Sequence, residues 1–415
     1  MKKIHLANIS SATRMLHTPY PTADAYNALS MPVYHAVAYE FDTAAQMEAA
    51  FTGKTPEHTY SRITNPTVQY FEQRVKTFTK ARDVIALNSG MAAVSNTFLA
   101  IASAGSNIVT SPHLFGNTYS LFAFTLSDFG VETRFCDLTD LDSVKANIDK
   151  NTRAVYLEAI TNPQMEVADL QALSDICKKQ GIPLIADTTI VPFTSFKSAD
   201  FGVDIEVISS TKYISGGATS LGGLILDYGT FDWQHSPKLR PLSGLPISAF
   251  SIKIRKEIHR NMGACMTPQT AQMQTVGLET LSLRYHRAAT TCRTLAEQMQ
   301  RLKGVDAVSY PSLPDNPYHA VSRKQFGDTS GAMFTFELPS REAAFNFIDR
   351  LQLIRRATNL FDNKTLAIHP ASTIFGSFTE ELRRSMHINQ RTIRISVGLE
   401  DADDLFNDMA QALAH

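Results

Sequence analysis

Short apolar runs that alternate with helical stretches between residues 83 and 228 constrain the fold of this chain more than any other feature. Each run is rich in Val, Ile or Leu, and stretches with helical spacing separate several of them. Buried strands that alternate with helices indicate an α/β fold with a mostly parallel central sheet, covered on both faces. The predicted strands are 83–89, 106–111, 131–137, 153–160, 182–189, 204–210 and 222–228, and the predicted helices are 68–79, 90–103 and 170–181.

The pattern changes on both sides of this region. After about residue 262, a helical stretch at 267–304, as one helix or two, precedes a strand at 331–338, a helix at 341–352 and a strand at 392–398. This mixture predicts a smaller α+β domain. The first 60 residues are polar, irregular and interrupted by prolines, which indicates an arm laid on another surface. We therefore divide the chain into an arm (1–63), an α/β domain (64–261) and a C-terminal α+β domain (262–415).

Charge and hydropathy exclude several kinds of partner. Because 39 Lys and Arg balance 40 Asp and Glu, no broad field attracts nucleic acid or acidic lipid. No apolar run approaches the roughly 20 residues that a membrane span needs, and the N-terminus has no apolar segment typical of a secretory signal. We expect a cytoplasmic enzyme with a small-molecule substrate.

Cysteine and glycine spacing exclude further classes of protein. No two cysteines have C-x-x-C spacing, so neither a zinc knot nor a dithiol redox site is indicated, and no metal site is predicted. We expect Cys136, Cys177, Cys265 and Cys292 to be reduced, buried and inert. No G-x-G-x-x-G segment follows the first strand, which excludes a nicotinamide dehydrogenase.

Three predicted strands end in polar residues, at the edge where open α/β sheets bind ligands. Ser89 and Gly90 open a helix whose free N–H groups favour a phosphate, although Ser89 by itself also fits an ordinary helix N-cap. Asp187 closes a second strand, where a salt bridge or an N-cap would equally account for it. Lys212 follows a third strand; a half-buried Lys has the lowered pKa that suits Schiff-base chemistry, but most lysines are solvated surface charges.

Pyridoxal phosphate needs these three features together. Its phosphate needs an anchor, its pyridinium nitrogen needs a carboxylate, and its aldehyde needs an amine. The combination of Ser89 and Gly90 with Asp187 and Lys212 therefore indicates a pyridoxal-phosphate enzyme.

The chain also resembles the cysteine/methionine-metabolism family of pyridoxal-phosphate enzymes, the trans-sulfuration family, and within it the O-acetylhomoserine sulfhydrylase branch. The resemblance implies the aspartate-aminotransferase-like fold (fold type I), with a mostly parallel central sheet and a smaller C-terminal α+β domain. The matching segments occur in the family's order and span nearly the whole chain. They are YSRITNPT (60–67), LNSGMAAV (87–94), LFGNTYSLF (114–122), EAITNPQMEVADL (158–170), IADTT (185–189), SSTKYISGG (209–217), LAIHPAST (366–373) and TIRISVGLEDADDL (392–405).

The resemblance implies which residues hold the cofactor. Lys212 would bind it covalently and later move the α-proton of the substrate, while Asp187 would pair with the ring nitrogen. Phe115 would stack on the ring, and Asn162 would contact the ring hydroxyl. The residues expected to hold the phosphate are Ser89, Gly90, Met91, Ser209 and Thr211.

The resemblance also implies how the substrate binds and how subunits associate. Arg394 would form a two-pronged pair with the substrate α-carboxylate, helped by Asn359. Tyr60 and Arg62 would come from a neighbouring subunit and reach the phosphate, with Tyr60 also near the substrate, which accounts for the arm. Family members are dimers with shared active sites, usually paired into a homotetramer.

Several residues depart from the family pattern and suggest which substrate is used. Phe115 stands where the family usually has Tyr, whose hydroxyl is thought to help protonate a thiolate leaving group in the lyases. Acetate needs little such help because it is a weak base, so the hypothesis is an acyl-activated homoserine as substrate. Tyr119 could supply a replacement hydroxyl. Asn117, where methionine γ-lyases typically have Cys, also argues against that activity, and Gly217 and Phe375 replace two histidines.

The hypothesis is thus a transferase of methionine biosynthesis that replaces the acetate of O-acetyl-L-homoserine with sulfide or methanethiol, giving homocysteine or methionine. A sulfur-carrier protein is another possible donor, and acetyl, succinyl and phospho activation are not separated. One alternative is a methionine or cystathionine γ-lyase, or a cystathionine γ-synthase. The other is a non-catalytic relative, against which the presence of both Lys212 and Asp187 argues.

Overall fold

The computed structural model describes residues 9–20, 24–245 and 247–414. Within these residues, the larger sheet contains strands β1 (Asp83–Leu87), β2 (Asn107–Thr110), β3 (Glu132–Phe135), β4 (Thr152–Glu158), β5 (Leu184–Asp187), β6 (Ile205–Ile208) and β7 (Gly223–Asp227). Their order is β1-β7-β6-β5-β4-β2-β3. β7 runs antiparallel to both neighbours and the other pairs are parallel. The predicted α/β fold with a mostly parallel sheet is confirmed.

The side chains of each strand alternate between two buried clusters, because successive residues of a strand point to opposite faces. In β1, Val84 and Ala86 belong to one cluster, and Ile85 and Leu87 belong to the other. Both faces are covered by helices, as expected for a parallel sheet. The α-helices of this part are Pro66–Thr79, Gly90–Ile101, Gly116–Ser120, Leu126–Asp128, Leu141–Asn147, Leu170–Gln180, Ala249–Lys253 and His259–Met262.

The C-terminal part has a second, mostly antiparallel sheet. Its strands, among the described residues, are β8 (Ala307–Ser309), β9 (Met333–Glu337), β10 (Arg355–Arg356), β11 (Leu366–Ile368) and β12 (Thr392–Ser396), in the order β10-β11-β12-β9-β8. Its α-helices are Pro268–Glu279, Leu281–Met299, His319–Phe326, Arg341–Arg350, Glu380–Ser385 and Ala402–Leu413. The stretch 267–304 is therefore two helices, separated at Thr280.

One buried cluster runs through both sheets. Val84 and Val155 of the larger sheet and Phe334 and Ile395 of the smaller sheet belong to it without a break. All four side chains are almost completely buried. The hydrophobic core therefore continues from the larger sheet into the smaller one.

The N-terminal region is not wholly irregular, which corrects the expectation for it. Helices form at Ser11–Leu16 and Ala44–Phe51 because Ser10 and Thr43 cap their first turns. The first 60 residues also leave apolar side chains in solvent, with Tyr26 92% and Leu29 99% exposed. Residues 1–8 and 21–23 of the predicted arm lie outside the described structure.

The cysteines form no disulfide in the described structure. Cys136, Cys177 and Cys292 are buried, and burial raises the pKa of the Cys136 thiol to about 11. Cys265 is only partly buried, which corrects the expectation for this residue, because it lies in an isolated bridge opposite Leu87 outside the sheet. Among the described helices, none has the length and apolar character needed to cross a bilayer.

Candidate active site

A cleft of about 780 Å³ lies at the carboxyl ends of β1, β4, β5 and β6, between the two sheets. The parallel strands bring their polar ends to this edge, as the sequence predicted. The cleft brings together most of the predicted site residues: Ser89, Gly90, Met91, Phe115, Asn162, Asp187, Ser209, Thr211, Lys212, Asn359 and Arg394. Tyr60, Arg62 and Tyr119 are not among the residues that line it.

Lys212 lies just after β6, with its ammonium in the cleft. Its Nζ donates a hydrogen bond to Oδ1 of Asn359 at 2.9 Å. Burial, reinforced by the nearby positive charge of Arg394, lowers the pKa of Lys212 to about 8, although Asp187 acts in the opposite direction. About a tenth to a fifth of this amine is therefore neutral near physiological pH. The neutral form is the one in which an amine is nucleophilic.

Asp187 is the last residue of β5 and its carboxylate is buried in the cleft. Its Oδ1 accepts the backbone N–H of Thr189 at 2.9 Å. Burial raises the pKa of Asp187, while hydrogen bonds from Thr189 and the charge of Lys212 lower it. A buried carboxylate is stabilised by a cationic partner. The site therefore suits a protonated ring nitrogen placed against Asp187.

Three of the residues predicted to hold the phosphate, Ser89, Gly90 and Met91, lie at the turn between β1 and the helix Gly90–Ile101. Ser89 caps this helix, since its Oγ accepts the N–H of Ala92 at 3.1 Å. A Cβ on Gly90 would lie 2.7 Å from Cβ of Ser209, so this position has no room for a side chain. Because Gly90 has no side chain, an anion can approach the N–H groups at the start of the helix that precede Ala92. A helix N-terminus of this kind is a common binding site for phosphate.

Arg394 carries a positive charge that is buried in the cleft. It lies in β12, is 2% exposed, and donates from Nη1 to Oδ1 of Asn162 at 3.1 Å. Its Nη2 donates to backbone oxygens of Thr358 and Asn359 at 3.4 and 3.3 Å, and its buried Nε has no partner among the described residues. Burial lowers the pKa of Arg394 to about 9. A buried guanidinium held by neutral oxygens is suited to a carboxylate that binds in the cleft.

Glu158 is a cleft residue that we did not predict. Its Oε1 accepts the backbone N–H of Phe115 at 2.6 Å, which fixes the residue expected to stack on the ring. Burial, with the nearby negative charge of Asp187, raises the pKa of Glu158 well above its usual value. The sequence held a signal for it, because Glu158 directly follows the apolar residues 154–157 just as Asp187 follows the apolar residues 182–186.

The structure does not bring Tyr119 to the cleft. Its ring stacks on Phe135 of β3 at 4.8 Å between centroids and packs against Phe378. The helix Gly116–Ser120 starts directly after Phe115 and turns Tyr119 into the apolar cluster on that side of the sheet.

Tyr60 and Arg62 lie outside the cleft of their own chain. Nη1 of Arg62 donates to the backbone oxygen of Arg260 at 2.6 Å, and its guanidinium lies 5.4 Å from the centroid of the Tyr60 ring. Tyr60 is 40% exposed. Their contribution to a neighbouring subunit's site stays a prediction.

Packing accounts for the two positions where histidine is replaced. Gly217 has φ +132°, and a Cβ there would lie 2.5 Å from Nδ2 of Asn363. Phe375 is fully buried, with its ring edge against Phe378. Neither residue is among those that line the cleft.

The cleft therefore combines a nucleophilic amine, a buried carboxylate, a helix N-terminus and a buried guanidinium that has no carboxylate partner among the described residues. The first three fit the aldehyde, ring nitrogen and phosphate of pyridoxal phosphate, and the fourth fits an amino-acid carboxylate. This fold and site define the class of α/β enzymes that use pyridoxal phosphate.

The comparisons with known proteins agree with this class. The profile of the Cys/Met metabolism PLP-dependent enzyme family matches residues 12–414, and the chain belongs to that family. It is 32% identical to an O-acetyl-L-homoserine sulfhydrylase of Corynebacterium glutamicum, over 97% of this chain and 96% of the relative. It is also 33% identical to an L-methionine gamma-lyase of Pseudomonas putida, over 97% and 96% of the two chains.

Two solved structures share the fold. One, from Campylobacter jejuni, carries N'-pyridoxyl-lysine-5'-monophosphate and is 33% identical, with a TM-score of 0.92 over 98% of this chain and 100% of that chain. The other is an O-acetylhomoserine sulfhydrylase of the methionine biosynthetic pathway of Wolinella succinogenes, 43% identical, with a TM-score of 0.76 over 85% and 99% of the chains. The predicted family, fold and cofactor are confirmed.

The neutral fraction of Lys212 gives a prediction about pH. We expect the rate at which the apoenzyme binds pyridoxal phosphate to level off above pH 8 and to fall about tenfold per unit below it. Absorbance during reconstitution measures this rate. In an Arg394→Met variant, the loss of the neighbouring positive charge should move the midpoint upward. A midpoint near pH 10 in the parent protein would contradict the lowered pKa.

Proposed function

We propose that this protein catalyses γ-replacement on O-acetyl-L-homoserine, using sulfide or methanethiol and releasing acetate with homocysteine or methionine. The observation that carries the proposal is the buried guanidinium of Arg394, which has no carboxylate among its described partners and shares the cleft with Lys212. An amino acid supplies the missing carboxylate. The names of the sulfhydrylase relatives support the choice of substrate.

Each cleft residue has a task in this reaction. Pyridoxal phosphate, when bound, supplies an aldehyde that captures amines and a ring that accepts negative charge from Cα. Asp187 keeps the ring nitrogen protonated, and Arg394 orients the substrate by its carboxylate. Lys212 then takes the α-proton, for which a pKa of about 8 is well placed.

The leaving group separates this reaction from the γ-lyase alternative. Phe115 offers its ring to the cleft and has no hydroxyl with which to protonate a thiolate. Tyr119 lies against Phe135 and is not placed to replace that hydroxyl. Acetate leaves without such help because it is a weak base.

The direct test is incubation with O-acetyl-L-homoserine, with and without sulfide. We expect homocysteine with sulfide, a lower rate of 2-oxobutanoate formation without it, and slower elimination of methanethiol from methionine than of acetate from O-acetyl-L-homoserine. The rates are measured by separation and quantification of products. Faster elimination from methionine would contradict the proposal and favour a γ-lyase. The O-succinyl and O-phospho esters, cysteine and a thiocarboxylated sulfur-carrier protein, assayed in parallel, test the other acyl groups and donors.

We further propose that the working unit is a homotetramer, a dimer of dimers with shared active sites, and that it acts in the cytoplasm. The exposed apolar side chains Tyr26 and Leu29 of the arm favour burial against another subunit. Tyr60 and Arg62 are then available to a neighbour's phosphate site. In this proposal the arm is 1–63, the cofactor domain is 64–261 and the substrate-carboxylate domain is 262–415.

Replacement of both Tyr26 and Leu29 by Ser is expected to weaken subunit association and cofactor binding together. Light scattering after size exclusion measures the mass, and titration with pyridoxal phosphate measures the affinity. Leu283→Ser is the matched control, because Leu283 is equally apolar and 74% exposed but lies on the helix Leu281–Met299. An unchanged mass in the arm variant would contradict the role of the arm.

A further inference from the structure

Three potential metal ligands meet beside the active-site cleft. Nδ1 of His113 lies 2.6 Å from Oε2 of Glu166, and the ring centroids of His113 and His387 are 4.8 Å apart. One donor atom from each of the three residues lies within 4.8 Å of the other two. None of the three lines the cleft that holds Lys212.

His113 turns Nδ1 toward Glu166, so Nδ1 is the ring nitrogen that would share an ion with this carboxylate. His113 is only 7% exposed, and its Nε2 is buried with no hydrogen-bond partner among the described residues. Nε2 lies on the far side of the ring from Glu166, where it is free for a water and takes no part in the three-residue cluster. The neighbouring ring is that of His387, which is exposed.

The donor set selects a class of ion. Two imidazole nitrogens and one carboxylate oxygen are typical ligands of Zn²⁺ and related transition metals, whereas Ca²⁺ and Mg²⁺ prefer oxygen. We propose that His113, Glu166 and His387 form a binding site for a divalent transition-metal ion, with Zn²⁺ the best fit. Metal–ligand bonds of about 2.0–2.2 Å place neighbouring donor atoms roughly 3–3.5 Å apart. Binding therefore requires the His113–Glu166 contact of 2.6 Å to open slightly and the His387 ring to move closer.

The position of the site suggests what the ion does. His113 follows β2, Glu166 lies in the loop that carries Asn162 after β4, and His387 precedes β12. Gln164 already joins the last two segments, since its Nε2 donates to the backbone oxygen of Met386 at 2.7 Å. A bound ion would fasten the C-terminal domain to the α/β domain next to the cleft. Glu166 and His387 also line a cavity of about 270 Å³ together with Tyr318, which leaves room beside the cluster for a water as a further ligand.

The test uses the holoenzyme, treated with a chelator and dialysed, without substrate. Calorimetric titration with Zn²⁺ is expected to show one saturable ion per chain. Saturating Zn²⁺ should raise Tm by about 3 °C at roughly 100 times Kd. Bound Co²⁺ should give ligand-field bands at longer wavelength than the cofactor absorbance. The absence of saturable binding would overturn the proposal.

A pair of variants separates this site from the cofactor and from surface histidines. His387→Gln, at an exposed position, should weaken Zn²⁺ binding at least tenfold, remove the rise in Tm and keep the visible spectrum of the cofactor. His286→Gln is the control, because His286 is also exposed but bonds only within its own helix. Equal Zn²⁺ affinity in the parent and the His387→Gln variant would overturn the proposal even if the parent binds the ion.

Discussion

A Lys212→Ala variant is expected to lose turnover by at least about 10⁴-fold and to lose the visible absorbance of lysine-bound cofactor. The loss is large because one side chain both holds the cofactor and moves the α-proton of the substrate. Among the residues that the structure describes, no other lysine lines the cleft and could take over its role. Homocysteine formation and the visible spectrum of the purified protein measure the two effects.

Two further variants identify the reason for the loss. Lys212→Arg keeps a positively charged side chain of similar length, but a guanidinium neither binds the aldehyde nor accepts a proton readily. We therefore expect this variant to be as inactive as Lys212→Ala. Lys145→Ala removes an exposed lysine that pairs with Asp142 and should leave activity unchanged. A Lys212→Ala protein that kept a visible band displaced by amino acids would contradict the assignment of Lys212.

An Arg394→Met variant is expected to lower kcat/KM for O-acetyl-L-homoserine by about 10²- to 10³-fold. Loss of one partner from a buried charge pair costs roughly 3–5 kcal/mol, and here the other partner is the substrate carboxylate. Met retains much of the volume, so the cleft keeps its shape. Steady-state kinetics over a range of substrate concentrations measures the effect.

Thermal unfolding distinguishes this role from a structural one. Because the guanidinium of Arg394 is buried without a carboxylate partner among the described residues, Met at this position should keep or raise Tm in the absence of substrate. Arg391→Met is the control, since Arg391 is half-exposed and pairs with Asp306 and Glu337. Equal losses of kcat/KM in the two variants, or a strongly lowered Tm in Arg394→Met alone, would contradict a substrate-binding role.

The larger sheet could be predicted because its strands are apolar on both faces and separated by clear helical stretches. Asp187 and Lys212 followed from the same pattern, since each comes at or just after the end of an apolar run. The reversed direction of β7 could not be predicted, because a strand buried on both faces has the same sequence pattern in either direction. The strands β8, β10 and β11 are too short to show a periodicity.

Contacts between distant segments were the part of the site that was hardest to predict from the sequence. Nothing local in the sequence indicates that Arg394 meets Asn162, or that His113, Glu166 and His387 converge. Such contacts depend on how the smaller sheet packs against the larger one. The resemblance to a family supplied Arg394 and Asn162 but gave no indication of the histidines.

The unbroken core that joins the two sheets limits how new specificity can arise in this scaffold. The C-terminal segment carries Arg394 and Asn359, so exchanging it with that of a relative is an obvious way to recombine substrate preferences. Phe334 and Ile395 from that segment, however, pack in the same cluster as Val84 and Val155. A functional chimera would have to transfer both sides of that contact, whereas substitutions confined to the cleft rim, such as Leu221, leave it intact.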